Sequence, residues 1–144
     1  MSSMLEDYPV VIEVPIAWGD MDAMRHVNNA VYFRWFESVR IAYFDEVGYL
    51  EHMRETGVGP ILASTRCRFR MPLAYPDRVS AGARVSELGE DRFEMSYAVA
   101  SHQTAKIAAE GDGLIVSFDY HHNRKAPLPA AIRRRIEALE ATSS

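Results

Sequence analysis

The sequence predicts an α+β fold in which a curved antiparallel sheet wraps around one long central helix. Three observations carry this expectation. A β-branched segment comes first. A single long stretch of helical periodicity follows, from Ala30 to Val47, with large apolar side chains on more than one narrow stripe. After it the chain reads as successive strands as far as Tyr120. A helix that is apolar over much of its circumference must be enclosed, and consecutive antiparallel strands form the layer able to enclose it.

Taken in order, Val10 to Ala17 is rich in β-branched residues broken by Glu13 and Pro15, so it reads as a strand that Pro15 confines to an edge or irregular position. It runs into the polar turn Trp18-Gly19-Asp20-Met21-Asp22. From Ala30 onward the period changes. Val31, Tyr32, Trp35, Phe36, Val39, Tyr43 and Val47 fall on neighbouring turns, with Asn28 or Asn29 as N-cap and Gly48 as the stop. Leu50 to Thr56 adds a short helical turn, and Gly59-Pro60 marks a break. Ile61 to Met71 alternates between an apolar face (Ile61, Ala63, Thr65, Cys67, Phe69, Met71) and a basic one carrying Arg66, Arg68 and Arg70. Val79 to Leu88, Arg92 to His102 and Ala105 to Tyr120 give three more strands, with Gly111 and Gly113 predicting a bulge or bend in the last. Beyond Pro127 and Pro129, Ile132, Ile136 and Leu139 define one face of a short amphipathic helix.

The chain has 144 residues, of which 48% are hydrophobic and 25% charged, the composition of a single globular domain spanning residues 1–144. Its net charge of −4 gives no help to a general nucleic-acid role, which needs a basic face to neutralise phosphates, so any anionic partner must be met locally. Cys67 stands alone and cannot form an internal disulfide, and Glu6, Asp7 and Glu13 occupy the region where a secretion signal would be basic and then apolar. No stretch approaches the roughly 20 consecutive apolar residues of a membrane span. The expectation is a cytoplasmic protein with no membrane partner.

The densest cluster of polar, reactive groups runs from Trp18 to Asn29, between the first strand and the enclosed helix. Asp20, Asp22, Tyr32, Arg34, Trp35 and Glu37 fill a pattern of strand, Asp-x-Asp, short loop and aromatic helix with Tyr-x-x-Trp. Phe69, Pro72, Tyr75 and Asp77 match a Phe-x-x-Pro segment with an acidic turn, and Phe118-Asp119 followed by Pro127 matches its ending. On these residues the chain resembles, over most of its length, the acyl-CoA thioesterase family typified by 4-hydroxybenzoyl-CoA thioesterase, whose architecture is the hotdog fold. The stretch His26-Val27-Asn28-Asn29 is similar to a loop of plant acyl-carrier-protein thioesterases of the same fold. Those enzymes carry Asn two residues after the key Asp, where this chain has Met24.

The resemblance implies hydrolysis of an acyl-CoA thioester, with Asp22 as general base or nucleophile. Such chemistry needs a carboxylate near the carbonyl and donors for the oxyanion, and backbone N–H groups at a helix N-terminus are suitable donors. By spacing alone, an Asp just before a helix commonly serves a turn or a cap. Asp20, at the strand end, reads as a residue that holds the loop. His26 is a candidate for polarising water or the carbonyl. Asn28 and Asn29 read as caps, with Asn29 also a catalytic candidate and Asn28 a substrate-binding one. Tyr32 and Glu37 are further substrate-binding candidates.

Arg66, Arg68 and Arg124 are candidates for the phosphates of coenzyme A, although solvated arginines on a sheet face are commonly paired with local acids. Cys67 reads as a buried, inert thiol. The scattered His52, His102 and His121-His122 give no metal spacing, so neither a metal nor a bound cofactor is expected. A small sheet on one helix leaves edges for a second copy, so a homodimer or homotetramer is expected, and the resemblance implies a site at that interface. The alternatives are a hotdog dehydratase or hydratase, whose Gly/Pro-rich His loop is not found in the sequence, and a non-catalytic acyl-CoA-binding module.

Overall fold

The computed structural model describes residues 2–143. In chain order it contains β1 (Val10–Pro15), α1 (Asn29–Glu46), α2 (Tyr49–Thr56), β2 (Val58–Phe69), β3 (Arg78–Leu88), β4 (Arg92–Ser101), β5 (Lys106–Asp119), β6 (Arg124–Lys125) and α3 (Ala130–Ala141). The sheet order is β1-β3-β4-β5-β2, antiparallel throughout, and the two-residue β6 pairs with β5. Among the described residues no helix is long and apolar enough to cross a membrane.

α1 lies against the concave face of this sheet because its apolar residues leave it no stable solvated arrangement. Val31, Tyr32, Trp35, Phe36, Val39, Tyr43 and Phe44 are all buried and share one core with Ala81, Ala83, Met95, Val99 and Ile115 of the strands. Each large side chain enclosed in this way contributes about 1.5–3 kcal/mol. Phe36 stacks on Tyr97 with ring centroids 4.8 Å apart. α3 closes one end of the core with Ile132 and Ile136, and its Glu140 carboxylate accepts hydrogen bonds from the Tyr43 hydroxyl and the Val85 N–H.

Three details depart from the sequence expectations. The second strand begins at Val58, so Pro60 lies inside it. β2 pairs only with β5 and is an edge strand, where a residue without an N–H is tolerated. Its strict alternation also fails. The register against β5 shifts between Leu62 and Ser64, and Ile61 and Phe69 are exposed where an apolar buried face was expected. Finally, the bulges lie elsewhere than Gly111 and Gly113. β5 pairs regularly at both glycines, and the β4–β5 register shifts between Val99 and Ala100. Gly111 answers a packing need instead, since a Cβ there would stand 2.4 Å from Phe36 Cε2 and from the Arg66 carbonyl oxygen.

Candidate active site

Residues 16–28 carry the chain from the end of β1 to the start of α1, and their hydrogen bonds fix a turn and tie it to the neighbouring segments. Ile16 is buried, and its N–H donates to the Asp77 carbonyl at 2.9 Å. The Asp20 carboxylate accepts the Ala17 N–H at 2.9 Å and Arg34 Nη2 at 3.2 Å, while the Asp20 carbonyl accepts the Asn28 N–H at 2.9 Å. Met21 and Val27 form an isolated antiparallel bridge, and the Val27 N–H donates to Leu73 at 2.7 Å. Inside this frame the Asp22 N–H donates to the His26 carbonyl at 3.0 Å and the Arg25 N–H to the Asp22 carbonyl at 2.9 Å. Closing so tight a turn places Arg25 in the left-handed region at φ 60°, a conformation that costs a non-glycine residue about 1–3 kcal/mol.

Asp22 is thereby presented at the tip of a braced turn. Its Oδ1 accepts the Met24 N–H at 2.9 Å, and among the described residues no cation pairs with the carboxylate. Two cavities, each of about 440 Å³, meet at this side chain. The first is lined by His26, Asn29, Tyr32, Phe69 and Met71 as well as Asp22. The second is lined by Trp18, Met21, Arg25 and Tyr75. The junction gives a carboxylate access to a group that extends in two directions, as an ester or thioester does about its carbonyl carbon.

Asp22, His26, Asn29 and Tyr32 are thus brought together on one cavity. Burial pushes the Tyr32 phenol up to about 12, so at neutral pH it is a hydrogen-bond donor and no base. Its ring is held edge-on by Trp35 and Phe69, at centroid separations of 5.2 and 5.0 Å. The Asn28 side chain caps α1, accepting the Ala30 N–H at 2.9 Å, and its carbonyl takes the Val31 N–H at 2.9 Å. Two amides of the first turn are therefore satisfied within the chain. Among the described residues the Asn29 N–H has no protein acceptor.

The other candidates lie apart. Glu37 faces a different cavity, two turns farther along α1. Arg66 and Arg68 sit beside a shallow pocket on β2, where Arg66 is paired with Asp112 (Nη2 to Oδ2 2.9 Å) and Arg70 with Glu110. Arg124 pairs in register with Asp119, whereas Arg66 pairs with Asp112 seven residues earlier on β5, about 23 Å away at the rise of a strand. These arginines do not form one cluster. Cys67 is half-buried and its thiol is pushed up to about 11 by burial. Among the described residues, no three His, Cys, Asp or Glu side chains gather in a metal-binding group. Trp18 and Arg25, which flank Asp22, carry no site assignment from sequence, and Tyr75 enters there only through the family resemblance. The exposed aromatic rings on either side of an acidic loop were the available signal, whereas the left-handed Arg25 left none.

Among solved structures, one of a thioesterase from Thermus thermophilus complexed with coenzyme A and zinc is similar over 94% of this chain and 97% of that one, with a TM-score of 0.83 and 33% identity. A Pseudomonas aeruginosa protein is similar over 94% of both chains, with a TM-score of 0.82 and 25% identity. A curated Aquifex aeolicus protein is 28% identical over 102 residues, which is 70% of this chain and 80% of that one. The architecture is therefore that of the hotdog-fold thioesterases. Residues 16–136 match the family model of the thioesterase-like superfamily, and the chain belongs to that family. It is a thioester hydrolase.

Proposed function

We propose that the protein hydrolyses acyl-CoA thioesters, with Asp22 as the carboxylate that acts on the carbonyl, either as nucleophile or through an activated water. The observation that carries this reading is the open Asp22 carboxylate, held on a braced turn where two cavities meet, in a chain of the thioesterase-like superfamily. The coenzyme A in the Thermus structure supports the choice of leaving group. The Asn29 N–H lies at the positive end of α1 and supplies a donor for the developing oxyanion. His26 and the Tyr32 hydroxyl supply further donors from the same cavity. Asn28 positions this first turn by capping it, and Arg68, which has no acidic partner among the described residues, is the best placed of the β2 arginines for a phosphate. The exposed edge of β2 supports assembly into a homodimer or homotetramer, and the absence of an internal disulfide fits a cytoplasmic setting.

The test is a panel of short-chain, long-chain and aromatic acyl-CoA thioesters, assayed for release of free thiol without added metal. Hydrolysis of at least one class is expected. Inactivity across all of them refutes the proposal.

A further inference from the structure

We propose that the outer face of the sheet, turned away from α1, is a surface on which two copies of this chain pair, and that the N-terminal segment is a strap that covers it. The strand registers lay out this face. Residues directly opposite one another on paired strands share a face. Val11, Gly82, Ala98, Glu110 and Arg68 therefore form one row, from β1 through β3, β4 and β5 to β2. Ala100, two residues along β4 from Ala98, is on the same side. The middle of this face carries almost no side chain.

Residues 4–8 lie over that bare strip. A 3₁₀ turn ends at Leu5, and the Tyr8 N–H donates to the Leu5 carbonyl at 3.0 Å. Leu5, 3% exposed, packs on Ala98 and Ala100, with Met4, Tyr8 and Ile107 around it. A Cβ on Gly82 would stand 2.9 Å from Tyr8 Cβ, so glycine is what lets the strap lie flat on β3. The Arg84 guanidinium lies 4.8 Å from the centre of the Tyr8 ring. This cluster is separate from the core around α1, and the strap precedes residues 16–136, the part that the chain shares with its family.

Three observations point to a second copy as the rival occupant. Outward residues as small as Gly82, Ala98 and Ala100 let another sheet approach closely. Val11, at the β1 end of the row, is 43% exposed and carries the apolar strip beyond the strap. Beside the strip, Arg66 is paired with Asp112 and Arg70 with Glu110, which leaves Arg68 in surplus there, so the face presents little net charge to repel its own copy. Sheets stacked face to face stand about 10 Å apart, a gap that side chains fill and that has no room for two straps. Covering and pairing thus exclude each other. Returning one Leu5 to water weakens pairing about tenfold, and two straps must lift, so together they hold it back about a hundredfold.

The experiment is analytical sedimentation of the full chain, of the chain lacking residues 2–8 and of full-length Leu5→Asp, each checked for cooperative melting. The strapless chain and Leu5→Asp are expected to reach twice the mass of the full chain, at concentrations about a hundredfold below those the full chain needs. Ala98→Arg in the strapless chain, which sets a long charged side chain on the bare strip, returns the mass to that of the full chain. Leu5→Asp keeps every other residue, so it decides the matter where the truncated chain folds poorly. Equal masses for all three proteins overturn the proposal. So does a lower mass without the strap, open-ended aggregation, or a doubled mass that Ala98→Arg leaves in place. Thiol release enters none of these outcomes, so this surface stands or falls independently of the proposed function.

Discussion

Replacing Asp22 by Asn separates the chemistry of the braced turn from its architecture. The folded structure asks one thing of the carboxylate, to accept the Met24 N–H at 2.9 Å, and the Asn side-chain oxygen does the same. Asp22 is exposed and has no ion pair, so the substitution removes no buried contact and the loss of stability stays within about 0.5 kcal/mol. The turn survives on backbone bonds, from Asp22 to His26 and from Met21 to Val27. Turnover is another matter, because an amide is neither a base nor a nucleophile at neutral pH. Loss of a positioned acid–base group costs about 10²–10⁴-fold, so kcat on the best acyl-CoA of the panel falls at least about a hundredfold, equivalent to roughly 2.7 kcal/mol of barrier. Thiol release at saturating substrate gives kcat, thermal melting gives stability, and equilibrium binding of a non-hydrolysable acyl-CoA analogue gives affinity. Asp20→Ala is the contrasting variant. It removes the acceptor of both the Ala17 N–H and Arg34 Nη2, and stability falls by about 1–2 kcal/mol. Near wild-type turnover in Asp22→Asn, or loss of activity explained by unfolding alone, refutes the assignment.

Other outcomes follow from the packing. Gly111→Ala forces a methyl group toward Phe36 Cε2 and the Arg66 carbonyl, and the variant melts lower by the equivalent of about 1–3 kcal/mol, whereas a bulge-forming glycine would tolerate alanine better. Because burial holds the Cys67 thiol at about 11, iodoacetamide at pH 7.5 leaves it unmodified in the folded protein, alkylation accelerates only as pH rises toward that value, and mass spectrometry after denaturation shows full labelling. Sedimentation analysis gives a dimer or tetramer, and Leu62→Lys on the exposed β2 edge shifts it toward the monomer. An active wild-type monomer contradicts that expectation.

The fold was legible where the chemistry is periodic. Val31, Tyr32, Trp35, Phe36, Val39 and Tyr43 announce an enclosed helix whatever surrounds it, and all of them are buried. The alternation in residues 61–71 announced a strand but gave the wrong account of its faces, because period 2 carries no information about sheet order. A strand at the edge with a register shift at Ala63 exposes residues on both sides, and sheet order is decided by pairings between segments far apart in sequence. Gly111 misled for a related reason. Its need arises from Phe36, 75 positions earlier, and a close approach of that kind leaves the same mark in sequence as a bulge. Arg40 was invisible as a buried charge, since a polar residue in an amphipathic pattern is assigned to the solvated face.

Asp20 and Asp22 show why the site was only partly readable. Identical side chains two positions apart in one loop are indistinguishable by composition, and turn chemistry accounts for either. The structure separates them by what each carboxylate already holds. Asp20 is engaged by a backbone N–H and by Arg34, and its backbone carbonyl takes the N–H of the residue that caps α1. Its charge is committed to joining strand and helix at a fixed distance. Asp22 accepts one local N–H and keeps its second oxygen open toward both cavities. A carboxylate that both fastened the loop and attacked a carbonyl would have to abandon one task to perform the other. In the proposed function the Asp-x-Asp pair divides them: Asp20 joins strand and helix, and Asp22, which accepts only the Met24 N–H, keeps an oxygen for the carbonyl.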